Sequence, residues 1–361
     1  MVDATASEDP SEVLSRVVKL ADFEALARER MTAPAFDYVA GGAWDEISLR
    51  ESVESWQQHR FVPRVLRELH AIDVSGSFLG KRSALPVAVA PAAVQGLGHP
   101  NGEAEMLAGA AAAGIPFCLS TTSSMPLEAV AEASPDAERW FQLYMVGGMG
   151  PSQKLVERAE AAGYTALVVT VDLPVLGRRE RDVLSGFVLP DLPHIDPVTN
   201  ARTERYGGLT DQWISGLNWR TLEDVRDWTS MPMVVKGILA PDDARRAADL
   251  GAKAVIVSTH GARQLDRVIS SAAALPAVVE AVAGQCEVWV DGGIRRGLDV
   301  LVALALGASG VLIGRPFYWA LATAGRAGVQ HAAALLRGEL ELALPLLGCS
   351  SIADLERSVL A

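Results

Sequence analysis

Cysteine, clustered positive charge and long apolar runs are all scarce in this sequence of 361 residues. Its three cysteines, Cys118, Cys286 and Cys349, lie far apart, which excludes a CxxC metal pair and a disulfide framework. Lys and Arg number 32 against 44 Asp and Glu, and no basic cluster forms a stripe that follows a phosphate backbone. Nucleic acid is therefore not expected as a partner. No run of about 18 apolar residues occurs, so no membrane-spanning helix is expected.

The amino terminus also lacks the features of a secretion signal. Residues 1–12 read MVDATASEDPSE, an acidic stretch without an apolar core behind a basic start. The composition, 50% hydrophobic and 21% charged, is that of a folded globular protein. We therefore expect a cytoplasmic protein that acts on small molecules, with residues 1–10 as a disordered tail and residues 11–361 as one domain.

Short apolar runs rich in β-branched residues alternate with stretches of helical period in most of the chain. The eight runs are residues 87–91, 116–120, 140–144, 166–172, 233–237, 254–258, 288–291 and 310–314. Strands that are buried on both faces and alternate with helices favour parallel pairing through right-handed crossovers. Eight such units predict an α/β protein, a (β/α)₈ TIM barrel over about residues 85–330. An open doubly wound sheet is the alternative, because periodicity does not show closure.

Helical candidates separate these runs and also flank the barrel. Between the strands they cover residues 103–113, 126–133, 154–162, 241–250, 274–281 and 298–306. Four of them end at a glycine, a residue that readily adopts the left-handed conformation of a helix cap: Gly114, Gly163, Gly251 and Gly307. Outside the barrel, helices are predicted over residues 11–31, with Asp22 as the candidate cap of a second helix, over 33–40, and over about 330–361.

The spacing of the units is uneven once. A long insertion over residues 173–232 follows the fourth strand and is rich in Pro, Asp and Gly around residues 189–208. A structureless stretch of this length in a compact domain is usually functional, which predicts a loop that acts as a lid.

Polar side chains follow seven of the eight predicted strands at the same end. TIM barrels carry their chemistry at the carboxyl ends of the strands, so a ring of such residues predicts an active site there. The strand-end segments with polar residues are 120–122, 142–144, 170–172, 236–237, 258–263, 291–295 and 314–316. The loops after the seventh and eighth strands usually hold phosphate in this fold. Here Gly292, Gly293 and Gly314 leave backbone N–H groups uncovered, and Arg295 and Arg315 add charge, which predicts a phosphate-bearing ligand.

Lys236 directly follows a buried apolar run, so its ammonium group needs a partner. Three interpretations are open: a Schiff-base lysine, a fixed cation beside an electron-rich cofactor, or a salt bridge to a neighbouring strand-end Asp.

His260 follows another apolar run, and Asp172, at the end of the fourth strand, is placed to orient it as a general base. Arg263 and one of Arg178 and Arg179 suit a carboxylate substrate, because guanidinium groups bind carboxylates in bidentate fashion. The other arginine of the pair is expected to be a solvated loop residue. No His, Cys, Asp and Glu set has metal-ligand spacing, so no metal is predicted.

Taken in chain order, these strand-end residues resemble those of the FMN-dependent 2-hydroxy-acid oxidase and dehydrogenase family, and the resemblance covers about residues 20–355. The strongest motif is SxHGxRQLD at residues 258–266. Further matches are FDYxAGGA at 36–43, FQLY at 141–144, TVDxPxxGRRxRD at 170–182, VKGI at 235–238, DGGIRRGxDV at 291–300 and IGRP at 313–316.

The resemblance implies an oxidase that converts an (S)-2-hydroxy acid to a 2-oxo acid, with O₂ as electron acceptor, H₂O₂ as product, and a tetramer or octamer as the assembly. The alternatives are a dehydrogenase with a quinone or carrier protein as acceptor, a decarboxylating monooxygenase, an FMN-dependent isomerase, and a flavoprotein without catalysis.

It also implies a role for each matching residue. FMN would be held by Pro91, Ala92, Ala93, Ser120, Gln142, Thr170, Lys236, Ser258, Asp291, Gly292, Gly293, Arg295, Gly314 and Arg315. The substrate carboxylate would be bound by Tyr38, Arg179 and Arg263. Tyr144 would bond the 2-hydroxyl group, and His260, held by Asp172, would be the general base. Hydride transfer and carbanion formation both remain open as routes.

Several positions depart from the family pattern. Thr122 stands where the plant glycolate-oxidising members have Trp, and Val39 replaces a frequent aromatic residue. Both changes predict a pocket for aromatic or medium-chain acids rather than glycolate. Thr259 replaces the usual Asn beside the histidine, which could alter its support. Residues 189–218 are shorter than in glycolate oxidase and lack the apolar stretch of membrane-attached members, and Ala93 is common among oxidases.

Overall fold

A closed barrel of eight parallel strands forms the centre of the structure, a computed structural model that describes residues 9–69, 71–195 and 217–361. Barrel strands that are consecutive in the chain are neighbours in the ring, and the last strand, Gly310–Ile313, pairs with the first, Val87–Val89, to close it. The predicted TIM barrel is therefore confirmed, and the open-sheet alternative is wrong. The strands are β1 (Gly76–Phe78), β2 (Lys81–Ser83), β3 (Val87–Val89), β4 (Phe117–Ser120), β5 (Arg139–Leu143), β6 (Leu167–Thr170), β7 (Met233–Ile238), β8 (Ala254–Val257), β9 (Glu287–Asp291) and β10 (Gly310–Ile313).

Helices surround the barrel and extend it at both ends of the chain. They are α1 (Pro10–Ser15), α2 (Asp22–Arg30), α3 (Ala33–Ala40), α4 (Ile47–Gln57), α5 (Gly102–Ala113), α6 (Leu127–Ala133), α7 (Met149–Ala161), α8 (Glu180–Ser185), α9 (Trp219–Asp227), α10 (Pro241–Asp249), α11 (Ser271–Val282), α12 (Gly297–Ala305) and α13 (Arg315–Leu346). One hydrophobic cluster contains buried residues from Val17 to Val359, so the flanking helices share the core of the barrel. Among the described residues, no helix is long and apolar enough to cross a membrane.

The amino-terminal end of the barrel is plugged by aromatic side chains. Phe78 of the β1–β2 hairpin packs edge-on against Trp140 and Trp289, at ring-centroid distances of 5.4 and 5.1 Å. The two tryptophan rings stack on each other at 5.0 Å. Successive side chains of a strand point to opposite faces, so the residues two positions further along also point inward. Those residues are Gln142 on β5 and Asp291 on β9, which places polar groups at the opposite, carboxyl end.

Several predicted boundaries differ from the structure. Residues 11–31 form two helices, and Asp22 is the first residue of α2 rather than its cap. Its carboxylate accepts hydrogen bonds from the backbone N–H groups of Val18 and Lys19, which fold the connection back onto α2. Asp9 caps α1 and Pro10 is its first residue, while residues 1–8 of the predicted tail lie outside the described residues.

The carboxyl-terminal helix begins earlier than predicted. Helix α13 begins at Arg315, directly after β10, and bends where Ala324 and Gly325 leave the helical conformation, with Gly325 at φ +56°. It ends at Leu346, and 3-10 turns follow at Ile352–Asp354 and Arg357–Val359, so the predicted segment 330–361 is helical in part. The four predicted glycine caps, in contrast, all have a positive φ and are confirmed.

The insertion after β6 contains more regular structure than predicted. Its described parts hold α8 and α9, so it is not a structureless loop. Asn218 caps α9 and accepts the N–H groups of Arg220 and Thr221. Residues 196–216, the middle of the predicted lid, lie outside the described residues.

Candidate active site

One cavity lies at the carboxyl ends of the barrel strands and collects most of the predicted site residues. The predicted residues that line it are Tyr38, Pro91, Ala92, Ala93, Ser120, Tyr144, Thr170, Arg179, Lys236, His260, Arg263, Asp291, Gly292, Gly293, Arg295, Gly314 and Arg315. Three predicted residues lie behind its wall and hold members of the lining. Gln142 bonds to Ser120 and Thr170, Asp172 to His260, and Ser258 to Lys236.

His260 is held between two partners that fix its proton. Its Nδ1 lies 2.8 Å from Oδ1 of Asp172, and its Nε2 lies 3.1 Å from the hydroxyl of Tyr144. An ionised carboxylate only accepts hydrogen bonds, so Nδ1 carries the proton. Nε2 is then the lone-pair nitrogen, and it accepts from Tyr144 on the side of the cavity. The imidazole is therefore arranged as a general base.

The electrostatics of the site keep this base neutral. Burial lowers the pKa of His260 below its ordinary 6.5, against the opposing influence of Asp172. Burial alone would raise the pKa of the Asp172 carboxyl, but His260 and Lys236 hold it below its usual value. Burial and the nearby Asp172 raise the pKa of Tyr144, which therefore remains a phenol that donates a hydrogen bond.

The loop that carries His260 has a strained backbone. His260, Gly261 and Ala262 have φ values of +55°, +62° and +58°, a region that side-chain-bearing residues rarely adopt. The Oγ1 atom of Thr259 accepts the N–H of Ala262 at 3.3 Å and supports the turn. Thr259, identified above as a departure from the family pattern, thus stabilises the loop. Strain of this kind occurs mainly where surrounding contacts enforce it, often at active sites.

Two guanidinium groups line the cavity beside His260, and one of them is buried. Arg179 is 7% exposed, and Arg263 donates to the carbonyl oxygens of Tyr38 and Gly41. The guanidinium carbon of Arg263 lies 4.8 Å from the ring centroid of Tyr38, and that of Arg179 lies 6.0 Å from it. The neighbouring Arg178 is exposed and pairs with Glu180, which confirms that one arginine of the pair is a surface residue.

Lys236 forms an ion pair inside the barrel. Its Nζ lies 3.2 Å from Oδ2 of Asp291 and donates to Oγ of Ser258 at 2.9 Å. Burial alone would lower the pKa of Lys236, but Asp291 and Asp172 raise it above its usual value. A protonated amine does not attack a carbonyl, which disfavours the Schiff-base interpretation. The predicted salt bridge is confirmed, and the ammonium group lines the cavity as a fixed cation.

Comparison with known proteins identifies the family. The family described as FMN-dependent dehydrogenase matches residues 27–361. The chain belongs to this family. L-lactate oxidase of Nostoc sp. is 44% identical over 96% of this chain and 99% of that protein. The 4-hydroxymandelate oxidase of Amycolatopsis orientalis is 44% identical over 94% of this chain and 97% of that protein. A crystal structure of mandelate oxidase superimposes with a TM-score of 0.88 at 44% identity, covering 96% of this chain and 98% of that one.

FMN is the cofactor of this FMN-dependent dehydrogenase, and the cavity has groups that suit it. Oδ1 of Asp291 is buried and has no hydrogen-bond partner among the described residues, so it is available to a hydroxyl donor. Gly314 is the N-cap of α13, and the amino terminus of a helix attracts phosphate. Gly293 has φ +80°, and a Cβ there would lie 1.8 Å from the carbonyl oxygen of Ser52. Only glycine therefore fits this backbone.

Arg295 and Arg315, the two arginines near Gly293 and Gly314, differ in their contacts. The Arg315 guanidinium donates to the carbonyl oxygens of Val39, Gly41 and Gly261, which links α13 to the amino-terminal segment and to the His260 loop. The guanidinium carbon of Arg295 lies 5.5 Å from the ring of Trp319. Among the described residues, no group of three or more His, Cys, Asp and Glu is placed to hold a metal ion.

Sequence reasoning missed several apolar residues of the cavity. Phe187, just after α8, stacks on Tyr38 with ring centroids 4.3 Å apart. The other missed lining residues are Ala90, Leu173, Leu176, Asp182, Val188, Leu189, Gly261, Ile294, Leu312, Ile313, Pro316 and Tyr318. The apolar spacing of residues 173, 176, 187 and 189 was a signal, because apolar residues in a polar insertion need something to pack against. Val39 and Thr122, identified as departures from the family pattern, both line the cavity.

Proposed function

We propose that this protein oxidises an (S)-2-hydroxy acid to the corresponding 2-oxo acid. The observation that carries the proposal is the common cavity lined by His260, Arg179 and Arg263. A base and two fixed cations on one cavity match a substrate with a hydroxyl group next to a carboxylate. The names of the relatives agree with this reaction class, since they are oxidases of lactate and 4-hydroxymandelate.

In this proposal each polar side chain has one task toward the substrate. Arg179 and Arg263 bind the carboxylate, with the hydroxyl of Tyr38 as a further donor. Tyr144 bonds the 2-hydroxyl group, and Nε2 of His260 accepts a proton from the substrate. Asp172 stabilises the imidazolium that forms. The same base serves removal of the hydroxyl proton with hydride transfer and removal of the α-proton to give a carbanion.

The strand ends on the other side of the cavity hold the cofactor. FMN, when bound, accepts the two electrons that the substrate loses. The backbone of residues 91–93 and the side chains of Ser120, Thr170 and Lys236 would hold its ring, with Gln142 and Ser258 supporting these side chains from behind the wall. Asp291 would accept from the ribityl hydroxyls, and Gly292, Gly293, Arg295, Gly314 and Arg315 would bind the phosphate. The Lys236 ammonium is positioned by its ion pair and stabilises negative charge on the ring by preorganised electrostatics.

The walls of the cavity favour a substrate with an apolar side chain. Leu173, Leu176, Phe187 and Leu189 line it, and Thr122 leaves more room than a tryptophan would. We therefore expect aromatic or medium-chain 2-hydroxy acids to be better substrates than glycolate. A related mandelate oxidase has been crystallised with (S)-4-hydroxymandelic acid, which supports this expectation.

O₂ is proposed as the electron acceptor, since the similar proteins named above are oxidases. Each turnover then consumes one O₂ and releases one H₂O₂ and one 2-oxo acid. We also propose that the protein acts in the cytoplasm as a homo-oligomer, a tetramer or an octamer.

A substrate panel tests the proposal directly. Protein loaded with FMN is mixed without oxygen with glycolate, L-lactate, (S)-mandelate or (S)-4-hydroxymandelate. Bleaching of the visible band of oxidised flavin is expected for at least one acid, with the aromatic acids fastest. If no 2-hydroxy acid bleaches the band, the proposed reaction is wrong.

A second measurement identifies the acceptor. On admission of air, an oxidase consumes O₂ and forms H₂O₂ in equal amounts, and the product keeps all its carbon atoms. Flavin reduction without O₂ uptake would indicate a quinone or carrier protein as acceptor. A product shortened by loss of CO₂ would indicate a decarboxylating monooxygenase.

A further inference from the structure

His194 is a buried histidine that the proposed reaction does not use. It lies in the segment after α8, 1% exposed, and touches a distant part of the chain. Its Nδ1 lies 3.0 Å from the carbonyl oxygen of Thr121, and its Nε2 lies 2.9 Å from the backbone nitrogen of Leu127. Both ring nitrogens are thus engaged with the loop between β4 and α6.

The two backbone partners fix the state of the ring. The N–H of Leu127 is a donor, so Nε2 accepts and carries no proton. The carbonyl of Thr121 is an acceptor, so Nδ1 carries the proton and donates it. Only the neutral ring with its proton on Nδ1 satisfies both contacts. Leu127 is also the first residue of α6, and His194 therefore satisfies one of the N–H groups that a helix start leaves without a partner.

Thr121, which contacts His194, also contacts β5 and Tyr144, the residue that follows it. Its Oγ1 donates to the carbonyl oxygen of Gln142 at 2.6 Å and accepts the backbone N–H of Tyr144 at 3.0 Å. The hydroxyl of Tyr144 in turn lies 3.1 Å from Nε2 of His260. The next residue, Thr122, lines the cavity. Three hydrogen bonds, linked through the covalent structures of Thr121 and Tyr144, therefore connect His194 to the general base.

The other end of the His194 segment forms the opposite wall. Phe187, Val188 and Leu189 line the cavity, and Phe187 stacks on Tyr38. His194 thus ties the segment that carries these residues to the loop that carries Thr122.

We propose that His194 is a positioning residue for substrate binding: it joins two walls of the cavity and, through Thr121, fixes the backbone that presents Tyr144. The inference rests on the proposed function, because it concerns the fit of the 2-hydroxy acid. Its removal shifts Tyr144 relative to His260 and loosens the apolar wall, which weakens substrate binding more than it affects the rest of the fold.

The surroundings of His194 support its neutral state. Burial lowers the pKa of His194, in spite of the hydrogen bond to Thr121. The charged groups that face it are Arg158 on α7 and Glu128 on α6, which pair with each other at 2.8 Å and oppose one another in their influence. The edge of its ring meets Phe141 on β5, and the hydroxyl of Ser123 lies 3.4 Å from Nδ1. Protonation of Nε2 in acid would place its N–H against the backbone N–H of Leu127 and break the hydrogen bond between them.

The test compares His194→Phe with His331→Phe in the FMN-loaded protein, with (S)-mandelate as probe. Phenylalanine keeps the aromatic volume and removes both ring nitrogens. His331 is a matched control, because its Nε2 also meets a backbone carbonyl, that of Val17, and its ring packs against Phe23 away from the cavity. We expect His194→Phe to raise KM about fivefold to tenfold, the effect of losing one or two neutral hydrogen bonds. His331→Phe should keep the wild-type KM and kcat.

A pH series separates positioning from simple stability. As the pH falls below 6.5, KM should rise more in the wild type than in His194→Gln, because both proteins keep His260 and only the wild type has a titrating group at position 194. Wild-type KM and kcat in His194→Phe, with or without a lower melting temperature, would overturn the inference. Should His194→Phe fail to fold, His194→Gln and His194→Asn, which each retain one of the two contacts, decide by the same KM criterion. Absence of activity in the wild type would contradict the proposed function instead.

Discussion

The ammonium group of Lys236 lies 3.2 Å from Oδ2 of Asp291, and both side chains are buried at the carboxyl end of the barrel. The pair joins β7 to β9 and leaves Oδ1 of Asp291 without a hydrogen-bond partner among the described residues. A buried charge is tolerated only when it is compensated, so this end of the barrel is built around an ion pair that also faces the FMN cavity.

Lys236→Met should therefore destabilise the protein and release FMN. The substitution leaves the carboxylate of Asp291 buried without its counter-ion, which typically costs about 3–5 kcal/mol. Denaturant unfolding measures the loss, and the visible spectrum of the purified protein reports the flavin. Lys81→Met is the control, because Lys81 pairs with Glu138 on the surface and should contribute less than about 1 kcal/mol. Equal effects of the two substitutions would contradict this account of the pair.

His260→Gln and Asp172→Asn should reduce turnover without loss of FMN. A glutamine in place of His260 offers no basic nitrogen. An asparagine in place of Asp172 presents an N–H donor to Nδ1 of the histidine, which moves the imidazole proton to Nε2 and blocks the base. General-base catalysis typically contributes about 10²–10⁴-fold, and we expect a loss of that order in each variant. Stopped-flow flavin reduction measures it, and rapid reduction in His260→Gln would remove the general-base assignment.

The acid limb of the pH–rate profile should lie below pH 6.5. The base works in its neutral form, and burial lowers the pKa of His260 from 6.5, so the neutral form persists into mild acid. As the pH falls through the lowered pKa, kcat/KM should drop with a slope of about one in the logarithmic plot. Steady-state kinetics over a pH range with a constant-ionic-strength buffer give the profile. An acid limb centred above pH 6.5 would contradict the neutral, buried base.

Arg263→Lys should weaken the binding of the substrate carboxylate. A lysine supplies one point charge and loses the planar fork, together with the contacts to the carbonyl oxygens of Tyr38 and Gly41. We expect KM to rise about tenfold or more, the cost of one charge-assisted hydrogen bond. Arg178→Lys is the control, since Arg178 is exposed and pairs with Glu180 on the surface, and KM should not change. An unchanged KM in Arg263→Lys would argue against the carboxylate clamp.

Gly293→Ala should impair folding and FMN binding far more than Gly80→Ala. The two glycines have similar φ values, +80° and +75°. Alanine should therefore cause about the same backbone strain at both positions, about 1–2 kcal/mol. A Cβ at Gly293 would lie 1.8 Å from the carbonyl oxygen of Ser52, whereas one at Gly80 would meet no described atom within 4 Å. Flavin content and unfolding of the two variants measure the difference. Equal flavin content would mean that Gly293 does not shape the phosphate end.

The sequence alone predicted the eight parallel strands and most residues at their carboxyl ends, but it did not show that the sheet closes. Apolar runs separated by helical periods predict buried parallel strands, and polar residues follow seven of them at the same end. Left-handed glycines such as Gly114 end helices for reasons local to the chain. These features follow from neighbours within a few residues. FMN and a 2-hydroxy acid were implied separately, by the resemblance of the motifs to a known family.

The tertiary structure decided which side chains meet. Only the closed barrel brings His260 to Asp172, and only the start of α8 buries Arg179 while it exposes Arg178. It also revealed Phe187 on Tyr38 and His194 between Thr121 and Leu127. Such pairings join residues far apart in the chain, and their geometry depends on how the whole core packs rather than on any local pattern of residues.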